Sequence, residues 1–248
     1  MSVDRQAIPT QASQSNIRPV AGGATSRGIP PLNAGDHLSR AEFERRYEAM
    51  PHVKKAELLE GVVYMPSPVS VEHGMLHAII VGWLLAYVAA TPGIHLLDNT
   101  SLRIDSRNEV QPDAMLLLSE AQGGKCQAAG DGFMQGSPEF IAEVAASSVS
   151  YDMHSKLRVY QRNGVQEYLV LLAYEQRIVW HALVAGKYVR LQPGDDGVLR
   201  SQVFPGLWLH AEKFWANDVS GLLSVLQERL RSPEHADFVA RLQGNDQI

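Results

Sequence analysis

Apolar positions along this chain recur with two periods, and the switches between them lay out a mixed order of helices and strands from about Leu38 onward. Ser39-Arg-Ala-Glu42 has the form of a capping box, in which the Ser39 hydroxyl accepts from a first-turn amide and Glu42 reaches back. A short helix follows to about Met50, and Pro51 ends it. Ala56 to Met65 reads as a hairpin turning at Glu60-Gly61, because glycine tolerates positive φ and Val62, Val63 and Tyr64 favour strand. Leu76, Ile79, Ile80, Trp83, Leu84, Tyr87 and Val88 fall at helical spacing in a helix from about Val71 to Ala90, which Thr91-Pro92-Gly93 stops.

Strands are expected at Ile94 to Leu97, Leu102 to Ile104, Gln111 to Leu118, Phe140 to Ala145, Glu167 to Leu172, Ile178 to Val184 and Lys187 to Leu191. Phe140 to Ala145 is almost continuously apolar, as in a sheet covered on both faces. Residues 119 to 137 hold five glycines and no periodicity, which predicts a long loop. One helix is expected from about Tyr151 to Arg162, closing at Asn163-Gly164. Another covers 216 to 231, with Leu222, Leu223, Leu226 and Leu230 along one side, and a last one follows Ser232-Pro233-Glu234. Helix, strands, helix, strands is the order of an α/β fold, a mixed sheet flanked by helices.

Composition divides the chain further. Its first 38 residues are rich in Ser, Gln, Pro, Ala and Gly, lack an apolar signal region, and carry three arginines in the manner of a weak transit peptide. They are expected to form a disordered tail over 1–37, followed by the α/β domain over 38–215 and a helical extension over 216–248. The apolar run Ala78 to Ala90 has the length of a buried core helix rather than a membrane span, so no membrane association is expected. A single cysteine, Cys126, cannot make an intrachain disulfide and suits a reducing compartment, which leads to a cytoplasmic expectation. The net charge of −5 excludes a protein that coats nucleic acid by bulk attraction but leaves room for a local basic patch beside an acidic site.

The chemistry sits at three places in order: Pro112-Asp113, Glu143 and Lys156. Each acid adjoins a strand-like apolar run, and two carboxylates on neighbouring strands can hold a divalent metal while an ammonium positions the attacking water. Glu143 inside Phe-Ile-Ala-Glu-Val-Ala needs a metal, a cation or an open cleft, because an unpaired buried carboxylate is costly. Asp152 and Lys156 are spaced i, i+4, so a salt bridge between them is the plain alternative for the lysine. His73 and His77 share that spacing, which suits zinc, but no Glu follows the first histidine and no third ligand is in view. Glu57 is either an outer carboxylate of the site or a solvated hairpin acid.

Glu57-Leu-Leu-Glu-Gly61, Ser70-Val-Glu-His73, Pro112-Asp113, Glu143-Val144, Asp152-x-x-x-Lys156 with Tyr160, and Gly164-Val165-x-Glu167-Tyr168 together resemble the restriction-endonuclease proteins of the Uma-two type. Val203-Phe-Pro-Gly-Leu-Trp-Leu209 is similar to that family's closing strand, and the likeness spans roughly residues 40 to 215. These proteins belong to the PD-(D/E)xK nuclease-like superfamily. Ala145 stands where many of those nucleases carry lysine, and Lys156 matches the displaced lysine of the Uma-two type.

The resemblance implies a restriction-endonuclease-like α/β core and a Mg²⁺-dependent endonuclease, with Mn²⁺ as a substitute, acting on DNA phosphodiesters. It implies Asp113, Glu143 and the Val144 carbonyl as metal ligands, Lys156 as a catalytic cation, and Glu57, His73 and Asp152 in support. A homodimer is expected from the two strands of a duplex, paired through the C-terminal leucine stripes. Two other readings remain open: a binding or assembly module that keeps the fold without the chemistry, and a nuclease directed at RNA.

Overall fold

The computed structural model describes residues 28–66, 68–146 and 148–245. In chain order the elements are α1 (Arg40–Glu48), the hairpin β1 (Glu57–Leu59) and β2 (Val62–Tyr64), α2 (Val71–Ala89), β3 (Ile94–Asp98), β4 (Leu102–Asp105), β5 (Asn108–Val110) and β6 (Ala114–Leu118). Then come β7 (Lys125–Ala128), β8 (Met134–Ser137), β9 (Phe140–Ala145), α3 (Val149–Tyr151), a π-helical turn (Asp152–Lys156), α4 (Leu157–Asn163), β10 (Glu167–Leu172), β11 (Arg177–Val184) and β12 (Lys187–Arg190). The chain closes with β13 (Val198–Arg200), β14 (Trp208–His210), α5 (Ala211–Trp215), α6 (Val219–Arg229) and α7 (Pro233–Asn245).

The central sheet has the order β12-β11-β10-β9-β6-β3, with β9 and β10 parallel and its other pairings antiparallel. A second sheet runs β2-β1-β5-β4-β8-β7. Alternation along β9 explains its continuous apolar run. Phe140, Ala142 and Val144 join a core with α2, the β13–β14 ribbon and α5 to α7, whereas Ile141 and Ala145 join a core with α4 and the second sheet. Glu143 points to this second side, among the only strand positions of β9 that face α4.

Several expectations change. The segment 119 to 137 is not a structureless loop but carries the β7–β8 hairpin, paired from Lys125↔Ser137 to Ala128↔Met134. Gly136 is needed there: its φ is +108°, and a Cβ would sit 2.1 Å from the Lys125 carbonyl oxygen. The tail boundary also moves. Residues 1–27 lie outside the described ones, but Leu32 is buried against Phe43, Met50, Leu58 and Val63, and His37 bridges to Val62. The packed domain therefore begins before Leu38.

At the other end, α6 and α7 bury Leu222, Leu226, Phe238 and Leu242 in the main core, with Leu223 and Leu230 packed against it. They are part of the domain rather than an appendage, and the leucine stripe that suggested a pairing surface is consumed within the chain. α2 is the one described helix long and apolar enough to span a membrane, with mean hydropathy 1.4 over 19 residues. Its Ile80, Trp83, Leu84 and Tyr87 are instead seated in the core, where the Trp83 indole donates to the Trp208 carbonyl and the Tyr87 hydroxyl to that of Pro205.

Candidate active site

Register brings the two acids together. β6 and β9 pair antiparallel through Leu116↔Phe140, Met115↔Ile141 and Ala114↔Ala142, so one further step sets Asp113 beside Glu143 on the same face. Asp113 reaches across to accept from the Val144 amide at 2.8 Å. Both acids line one open cavity of about 690 Å³, together with Glu57, Asp152, Lys156 and His73. Its floor is almost closed to water, since Glu57, Asp113, Glu143, Asp152 and Lys156 are each at most 4% exposed.

Lys156 stands at the centre of the floor. The helix that follows β9 is not uniformly α, as the sequence suggested, but widens into a π turn at Asp152–Lys156, a form often found at functional sites. From that turn the Lys156 ammonium lies 2.8 Å from Glu143 Oε1, 3.1 Å from Glu57 Oε1 and 3.4 Å from Asp152 Oδ1. An ammonium has three protons, and here it has three carboxylate neighbours. Its hydrogen bond goes to Glu143, with Glu57 and Asp152 at ion-pair distance. The Tyr160 hydroxyl also donates to Glu143 Oε1, at 3.1 Å, so neither bond occupies Oε2. Tyr168 anchors the turn by donating to the Asp152 carbonyl at 3.1 Å and packs edge-on against Tyr160.

Charge at this floor is unbalanced. Four buried carboxyl groups (Glu57, Asp113, Glu143, Asp152) face two ammonium groups, Lys156 and the half-buried Lys55, 3.5 Å from Asp113 Oδ1. Burial pushes Glu143 up to about 8; Lys156 opposes this, while Asp113, Asp152 and Glu57 add to it. Asp152 is raised for the same first reason, and Lys156 again opposes. Burial works against the Lys156 ammonium, but the surrounding carboxylates, Glu143 foremost, hold its pKa well above the ordinary lysine value. Asp113 goes the other way: burial opposes its ionisation, but His73, Lys55 and the Val144 amide outweigh it and hold it well below the usual carboxylate range. Asp152 Oδ1 and His73 Nδ1 are buried without a hydrogen-bond partner.

The sequence-predicted residues are therefore gathered at one cavity, Asp113, Glu143, Val144, Lys156, Glu57, His73 and Asp152 alike. Glu57 is not a solvated hairpin acid, since it is buried and accepts from the Gln111 amide at 2.7 Å. Arg158 and Arg162 on α4 stand outside the cavity and both pair with Glu60. Lys55 was missed, although its place two residues before Glu57 in Lys54-Lys55-Ala-Glu57 was the available signal.

The oxygen-rich, net-negative floor fits a hard divalent cation such as Mg²⁺ or Mn²⁺. Among the described residues no three His, Cys, Asp or Glu side chains converge tightly enough to hold an ion by themselves.

The pattern of the family described as "Putative restriction endonuclease" (Uma2) matches residues 40–212. No curated protein matches the chain. Among solved structures, a "putative nuclease belonging to DUF820" from Anabaena variabilis is similar, with a TM-score of 0.52 and 11% identity, covering 73% of this chain and 97% of that one. The likeness shows the restriction-endonuclease-like fold expected from the sequence. With the family pattern running over more than half of its length, the chain belongs to the Uma2 family.

Proposed function

We propose that this protein is a divalent-metal-dependent endonuclease that hydrolyses DNA phosphodiester bonds. The observation that carries the reading is the cavity floor, where four buried carboxyl groups exceed the available buried positive charge. Asp113 and Glu143 would hold Mg²⁺, or Mn²⁺ in its place, aided by the Val144 carbonyl. When bound, the ion acidifies a water and draws charge from the phosphoryl oxygens.

The side chains of the chain do the rest. Asp113 stays ionised through the Val144 amide, His73 and Lys55. Lys156 is a positioning residue: it holds Glu143 in one orientation and counters the burial that would otherwise keep it protonated. Tyr160 fixes the same carboxylate oxygen and leaves Oε2 on offer.

Isothermal titration with Mg²⁺ and Mn²⁺, run beside a cutting assay on both single-stranded and duplex DNA, tests this. Wild type should bind the ion and cut, whereas Asp113→Asn and Glu143→Gln should lose both. Lys156→Met should lower kcat with a smaller effect on KM, and its pH–rate profile should shift alkaline as Glu143 loses its counter-charge. Absence of metal binding by the wild type would overturn the assignment. Metal binding without cleavage of any nucleic acid would favour a binding module on the same fold.

A further inference from the structure

The rim of the cavity differs from its floor, and the difference bears on the shape of the substrate. The reacting groups lie at the bottom of a pocket at most 4% exposed, so a phosphodiester must enter to meet them. A cavity of about 690 Å³ is of the size that receives small ligands.

The rim carries no arginine, and its lysines other than Lys156 are Lys54 and Lys55. A duplex-binding protein that contacts about 6–10 phosphates uses about three to five times as many charges as the two lysines of this rim offer. Lys54 is exposed, and Lys55 leans over Asp113 with 23% of its side chain open. The rim also carries exposed apolar side chains beside polar ones such as His77 and Asn99. Tyr174 is 68% exposed in the turn between β10 and β11, and Val69 (71%) and Met65 (36%) are exposed on the segment between β2 and α2. All three line the same cavity as the acids.

Resting on the nuclease reading above, we infer that the site takes an unpaired nucleic-acid strand, with Tyr174 as a stacking platform for a base and Lys54 and Lys55 holding the phosphates on either side of the scissile bond. The combination of a few cations with an exposed aromatic and apolar wall is the chemistry of single-strand grooves, where bases stack on side chains because they are not stacked on each other. A base of a closed duplex presents no such face. The two lysines are adjacent in sequence just before β1, and both line the cavity whose floor holds the acids. Lys55 pairs with Asp113 and turns to the phosphate once the ion neutralises that carboxylate.

Four substrates of one sequence separate the outcomes: a labelled DNA strand, the same strand in a blunt duplex, that duplex with an unpaired bubble, and the RNA strand. Wild type with Mg²⁺ should cut the strand and the bubble and spare the duplex. With the non-cutting variant Glu143→Gln, fluorescence anisotropy should show Tyr174→Ala weakening strand binding by about five- to 150-fold, and Tyr174→Phe leaving it near wild type. Lys54→Met should reduce the salt slope of strand binding by about 0.7. Equal cutting of blunt duplex, or no effect of Tyr174→Ala, overturns the strand preference while the nuclease reading stands. Cutting of the RNA strand alone upholds the strand preference and overturns DNA as the substrate. Failure to bind or cut any of the four overturns both.

Discussion

Replacing Lys156 by methionine keeps most of its aliphatic stem and removes one charge, so it isolates the ammonium from its packing. That ammonium lies 2.8, 3.1 and 3.4 Å from three carboxylates on a floor almost closed to water. Removing one partner of a buried ion pair costs about 3–5 kcal/mol, because the charge left behind is neither solvated nor paired. Here three acids are left behind, but protonation can relieve them. Lys156 is the main influence lowering both Glu143 and Asp152, so without it both take up protons at higher pH. The loss should therefore approach about 3–5 kcal/mol only above pH 8, where Glu143 is ionised in the wild type, and be smaller at pH 5. Urea denaturation followed by tryptophan fluorescence reads this directly, since Trp83 and Trp180 are buried in the main core. Millimolar Mg²⁺ should restore part of the lost stability at pH 8, because it binds the folded form and supplies the missing positive charge. A loss of equal size at every pH would show that the stem rather than the charge matters. A loss below about 1 kcal/mol well above pH 8 would mean that the acids are not held charged beside the lysine, and the electrostatic account of the floor would fail.

Metal-free wild type should lose stability as pH rises from about 5 to 8: Glu143, raised to about 8, and Glu109 and Glu167, raised to about 7, are stabilising while protonated and costly once ionised. A chelator-treated series of urea midpoints checks the sign, and a midpoint that climbs across that range would refute it. Leu32→Ala should cost about 2–3 kcal/mol, because Leu32 is 3% exposed in the α1 core, whereas a truncation ending at residue 27 removes none of these contacts. Gly136→Ala should lower the melting temperature by at least several degrees, since its Cβ would collide with the Lys125 carbonyl from a positive φ. An unchanged melting curve would place the hairpin elsewhere.

The sequence by itself determined the local elements that carry their own signals, and it marked the acids. Glu60-Gly61 turns the first hairpin with φ of 54° and 81°, as its residue types demand. Ser39 caps α1 by accepting from the Glu42 amide, although the Glu42 side chain turns to Arg45 and Arg46 instead of completing the box. Glu143 could be singled out because a carboxylate within an apolar strand has to be neutralised by something, and Asp113 because it opens the neighbouring strand.

What only the tertiary structure decided was which polar residues lose their water. Glu57 and Glu60 are three positions apart in one hairpin, yet Glu57 is buried beside Lys156 and Glu60 reaches out to Arg158 and Arg162. The turn at Glu60 separates them locally, but which of them loses its water is decided by Lys156 of the π turn beside Glu57 and by Arg158 and Arg162 of α4 beside Glu60, contacts between segments about a hundred residues apart. The β7–β8 hairpin shows the same limit. Its strands have weak propensity and five nearby glycines, and they are strands because β4 supplies a parallel partner for β8. The leucines of α6 looked like a surface for a second chain because helical periodicity reports that a face is apolar, and only the fold reports what covers it.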